Sequence, residues 1–165
     1  MNKYLLLCLA IVIASCSYNF SGVITDPVKG VTDQLRYDDE QVSFQFFLSD
    51  SQIGFYLQNK TSKDITIDWN RATYVSFSGL SYRVIHSGVP YRLRSLPQAD
   101  TVLPPHSSLV DVLIPTSYVY YSEGWKVSSF ITKETIGKEF RVYLPLVING
   151  VSTNRQFKIK VGKTI

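Results

Sequence analysis

Phe140-Arg141-Val142-Tyr143-Leu144-Pro145-Leu146-Val147-Ile148-Asn149-Gly150-Val151-Ser152-Thr153-Asn154-Arg155-Gln156-Phe157-Lys158-Ile159-Lys160-Val161 is the stretch on which the fold turns. Phe140, Val142, Leu144, Leu146 and Ile148 alternate with other residues, so in an extended strand they share one face. Asn149-Gly150 follows directly and is the strongest short signal for a two-residue hairpin turn. The chain then returns with Phe157, Ile159 and Val161 on the inner face. A two-residue turn pairs Ile148 with Val151, which sets Val142 opposite Phe157 and Phe140 opposite Ile159. Such aromatic and β-branched cross-strand pairs stabilise a sheet. Pro145 has no N–H to give a ladder, so this strand is expected at a sheet edge or bulged there.

Working outward from that hairpin, the same period of two recurs. Val42, Phe44, Phe46 and Leu48 alternate with Ser43, Gln45 and Phe47, and Ile53, Phe55 and Leu57 alternate with Gly54, Tyr56 and Gln58. The polar break Ser49-Asp50-Ser51-Gln52 between them predicts a second hairpin. Further strands are expected at Ile65 to Trp69, Thr73 to Ser78, Tyr82 to His86, Ser108 to Ile114 and around Trp125 to Ile131. No amphipathic helix is sustained, and Ser129 to Lys138 could form two or three turns at most, ending at Gly137. Eight or so short strands with regular turns predict an all-β fold. The expected form is an antiparallel β-sandwich, immunoglobulin-like in architecture, with a small closed β-barrel as the alternative. The Cys…Trp…Cys pattern of antibody domains is absent. The segment Phe55 to Trp69, with Asn59-Lys60-Thr61 between two strands, is similar to envelope and stress-related sandwich domains that carry an Asn-Thr turn there.

The residue types that carry chemistry are thinly spread. His86 and His106 lie twenty residues apart, without His-x-His or His-Glu-x-x-His spacing, so no metal site is expected. There is no Gly-x-Ser-x-Gly elbow and no glycine-rich phosphate loop. Asp38-Asp39-Glu40 reads as a charged turn before a strand. The expectation is a non-enzyme without cofactor. Arg83, His86, Arg92 and Arg94 form the nearest thing to a basic patch, interrupted by Pro90 and Tyr91. That falls short of the concentrated face a nucleic-acid binder shows.

Aromatic density stands out instead. Ten tyrosines, nine phenylalanines and two tryptophans follow residue 16. Most phenylalanines fall at inward positions. Tyr118, Tyr120, Tyr121 and Trp125 cluster around Glu123-Gly124, where a turn is expected. Exposed tyrosine and tryptophan offer large contact area with little rotamer entropy to lose, so these four are the candidate partner- or ligand-binding residues.

The N-terminus supplies an address. Met1-Asn2-Lys3 is a short basic start, and Tyr4 to Ala14 is an apolar run of signal-peptide length, short of the roughly 20 residues that span a bilayer. Ile13-Ala14-Ser15-Cys16 resembles a bacterial lipobox. The resemblance implies that residues 1–15 are a lipoprotein signal peptide and that Cys16 receives diacylglycerol and becomes the new N-terminus. Ser17 after it resembles the signal for release to the outer membrane in an organism with two membranes. Residues 16–33, small and polar with Gly22, Pro27 and Gly30, are then expected to be the lipidated start and a tether. Val23, Ile24 and Val28 could let part of that span dock as a strand. Residues 34–165 form the single domain. The processed chain has 150 residues, and the loss of Lys3 leaves sixteen basic against thirteen acidic residues, net +3. With its one cysteine lipidated it has no disulfide, so stability must come from burial. The expected role is a lipid-anchored envelope protein that works by binding another envelope protein, with glycan or ligand recognition at the surface as the alternative.

Overall fold

Asn149 and Gly150 both take left-handed backbone, with φ of 51° and 75°, the geometry a two-residue hairpin turn requires. In the computed structural model, which describes residues 19–26, 30–32 and 35–165, the strands they join pair from Ile148↔Val151 to Glu139↔Lys160 without a slip. Val142 faces Phe157 and Phe140 faces Ile159. All four side chains are buried.

Among the described residues fourteen strands follow one another. They are β1 (Asn19–Asp26), β2 (Gly30–Thr32), β3 (Arg36–Asp38), β4 (Val42–Ser49), β5 (Ile53–Asn59), β6 (Ile65–Ile67) and β7 (Thr73–Val75). Then come β8 (Ser81–Ile85), β9 (Thr101–Leu103), β10 (Ser108–Pro115), β11 (Val119–Tyr121), β12 (Trp125–Val127), β13 (Glu139–Ile148) and β14 (Val151–Thr164). Single 3-10 turns lie at Tyr91–Leu93, Thr116–Tyr118 and Lys133–Thr135. The last is all that forms in the segment where a short helix was conceivable.

An immunoglobulin-like sandwich keeps two separate sheets, and that expectation is corrected here. Hydrogen-bonded neighbours run β14-β1-β4-β5-β10-β8-β7-β13 and return to β14, an antiparallel ring of eight strands. The closed barrel is the arrangement found. Two of its seams are short. Among the described residues, β1 meets β4 only at Asn19↔Ser49 and Phe20↔Leu48, and β10 meets β8 only at Ile114↔Ile85 and Pro115↔Val84. Neither seam has a run long enough to show alternation, which is why the sequence suggests separate sheets. β6 and β9 extend from β13, and β2 and β3 flank β1 and β4.

Two expectations change with the ring. Residues 16–33 are not simply a tether, because β1 and β2 fall within them and β1 is a wall strand between β14 and β4. Phe20 and Ile24 of β1 are buried, so the folded part includes residues before 34. Pro145 sits in a central strand, not an edge or a bulge. Its carbonyl accepts the Asp68 N–H, so its polar groups face the edge shared by β7, which ends opposite Tyr143, and β6, which begins opposite Leu146. The missing donor falls in that gap.

Side chains fill the interior, as expected of about eight strands. Phe157 on β14 meets Phe44 and Phe46 on β4, with ring centroids 4.8 and 4.9 Å apart, although these strands are not neighbours. Asn59, fully buried, holds the turn after β5. Its amide donates to the carbonyls of Lys63, Leu103 and Pro104, and its oxygen accepts from the backbone and hydroxyl of Thr61. A second, smaller core of Ile85, Ile114 and Val119 lies under the β11–β12 ribbon.

Candidate functional site

β11 and β12 form a two-stranded ribbon outside the ring. Val119↔Val127 is its base, and both residues pack into the smaller core. The next same-side pair, Tyr121↔Trp125, overhangs that core. Glu123 and Gly124 turn the ribbon in left-handed backbone, with φ of 52° and 133°.

The four candidate aromatics divide among three settings. Tyr121 and Trp125 meet edge-to-face at 5.5 Å, and remain 68% and 38% exposed. Arg94 lies over the Trp125 ring at 4.8 Å, a cation–π contact that covers one face of the indole. Tyr120 is also exposed, but it pairs with Lys126 on the opposite side of the ribbon. Tyr118 belongs to the packing. It ends a 3-10 turn, is half-buried, and stacks obliquely on Phe130 at 4.9 Å. Burial, with Tyr82 nearby, pushes its hydroxyl above the ordinary tyrosine range. The structure therefore brings Tyr121, Trp125 and Arg94 together and separates Tyr118 and Tyr120 from them. Cys16, the expected lipidation site, lies outside the described residues.

The basic patch does not assemble as one surface. Arg83 donates to the carbonyls of Ser95 and Leu96, clamping the loop after the first 3-10 turn. His86 is drawn inward, its Nδ1 3.2 Å from Asp111 and its ring flat on Trp69 at 4.2 Å. The other Asp111 oxygen accepts the N–H groups of Ser87 and Val112. Trp69 in turn donates to Thr101 Oγ1. Sequence reading missed this group, because its members are spread from residue 69 to 111 and meet only where β10 closes on β8. Its hydrogen bonds make it a clasp on that seam. His106 sits apart in the turn after Pro104, with φ of 53°.

Among the described residues, no group of three or more His, Cys, Asp or Glu gathers in a metal-holding arrangement, and no helix is long and apolar enough to cross a membrane. What the ribbon can do is present a preassembled Arg-Trp-Tyr surface on a support anchored by its own small core. No known protein family, curated protein or solved structure matches the chain, so the site is read from its own residues.

Proposed function

We propose that the protein is a lipid-anchored component of the bacterial cell envelope, acylated at Cys16, that binds another envelope protein through the β11–β12 ribbon. The observation that carries this reading is the exposed Tyr121–Trp125 pair held by Arg94. Trp, Tyr and Arg are the residues that dominate protein-binding hot spots, and their fixed geometry lowers the ordering cost of association. A sugar-stacking platform needs open ring faces, and one Trp125 face is already taken, which favours a protein partner over glycan. In an organism with two membranes, Ser17 favours the outer membrane.

Position supports the same reading. Asn19 pairs with Ser49, the adjacent Asp50 carbonyl accepts the N–H groups of Phe130 and Ile131, and Ser128 N–H donates to Tyr118 at the foot of the ribbon. The ribbon is thus tied to the barrel end that lies nearest Cys16 along the chain. A partner held there would itself be at the membrane. The test is the double variant Tyr121→Ala/Trp125→Ala in the full chain. Co-purification of envelope partners should fall with at most a modest drop in melting temperature, since Tyr121 is largely exposed and Trp125 meets Tyr121 and Arg94 rather than the main core. Unchanged co-purification would overturn the binding role of the ribbon.

A further inference from the structure

The seam between β1 and β4 leaves an opening beside it. After the rung Phe20↔Leu48, β1 departs along β14, and the β4 edge is next used by Leu35, whose carbonyl accepts the Phe46 N–H. Between them lies a groove of about 550 Å³. Buried Phe20, Leu35, Phe46 and Leu48 form its floor, and Phe47 and Ile165, 55% and 84% exposed, stand among the residues at its mouth. Two of its polar side chains, those of Ser21 and Gln45, are already engaged. Ser21 Oγ donates to the Lys163 carbonyl, and the Gln45 amide donates to the carbonyls of Leu35 and Phe46. What the groove offers an occupant is therefore mainly apolar.

Asn19 and Phe20 line this groove, and Cys16 is three residues before Asn19. Three residues span at most about 10 Å, against roughly 50 Å for a free tether of 16 residues. We infer that the groove receives an acyl chain of the lipid carried by Cys16. The inference rests on the lipid-anchor reading above. An acyl chain is the one apolar ligand that reading places within a few residues of the opening. Each methylene removed from water contributes about 0.8 kcal/mol, the same term that otherwise drives it into the bilayer. Seating one chain in the protein leaves the others to hold the membrane.

The experiment feeds bacteria making the full chain a palmitic acid bearing a diazirine, irradiates them, and maps the purified protein by peptide mass spectrometry. The expected result is label on Cys16 and intramolecular cross-links joining the Cys16 peptide to peptides containing Leu35 and Gln45 to Leu48. Phe47→Glu, a change at an exposed position, should lower those cross-links severalfold without lowering the melting temperature. Label on Cys16 with cross-links only elsewhere, or groove peptides joined to free phospholipid instead, would overturn the groove assignment and leave the anchor standing. An unlabelled Cys16 would overturn both, and so marks failure of the anchor reading. Undiminished cross-links in a folded Phe47→Glu protein would also count against the groove.

Discussion

Phe157 illustrates how much a single position carries. Its ring contacts those of Tyr37, Phe44 and Phe46, and its side chain is almost wholly buried. Phe157→Ala should lower stability by about 3–5 kcal/mol in a denaturant titration, because surrounding rings on two walls cannot all close the void. Asp39 gives a pH-dependent counterpart. Burial works to raise its pKa, but the N–H groups of Val42 and Gln41, the Tyr37 hydroxyl and Arg155 outweigh it, and the net value lies below the ordinary carboxylate range. A folded-state pKa below the unfolded one means that the stabilisation is present above the unfolded value of about 3.9 and lost as pH falls through the folded value. The stability gap between wild type and Asp39→Asn should therefore be widest near neutral pH and close in acid, and a gap independent of pH would refute this. The inward role of Phe157 was legible from alternation, and the acidic turn from composition. The pairing of His86 with Asp111 and Trp69 was not, since no period links residues brought together only by the ring.

At the scale of elements, legibility followed alternation more than length: the short β6 and β7 were read, whereas β9, β11 and the eight-residue β1 were not. β4, β5, β10, β13 and β14 each have enough residues to display a period of two, whereas β9, β11 and the short pairings of β1 with β4 do not. Pro145 was misread for a related reason: an N–H is dispensable in a central strand where the neighbouring strand changes, and sequence does not show where that happens. The β8–β10 seam has two rungs of its own and leans on Asp111. Asp111→Ala would leave two backbone N–H groups without their acceptor, at a cost of about 1–3 kcal/mol each. Asp111→Asn keeps an acceptor and should lose much less, and equal losses in thermal unfolding would contradict the clasp. The aromatic cluster was legible as a group. Its division between the two ribbon faces was not, because that depends on the register Tyr121↔Trp125.

For the whole molecule, closure depends on β1. A chain beginning at residue 34 lacks the strand that joins β14 to β4, while one beginning at residue 17 retains it. The shorter form should melt at a lower temperature and over a broader range, although both should give β-type far-ultraviolet spectra. Equal, sharp transitions would show that β1 is an accessory to the ring. The all-β class was readable from alternation, but ring closure was not, because it rests on two rungs at each of two seams.

The first strand of the barrel waits for the last. Val23 pairs with Lys160 and Ile24 with Ile159, so nearly the whole chain must exist before β1 finds its principal neighbour. At about 5–20 residues per second, synthesis alone leaves the β14-facing edge of that strand unpaired for on the order of ten seconds. Throughout that interval β1 has only β2 and β4 to pair with, and its long edge toward β14 stays free, a template for mispairing with other chains. The finished barrel hides this exposure, but a newborn copy must pass through it, and a holding factor or slow delivery would matter most at that stage.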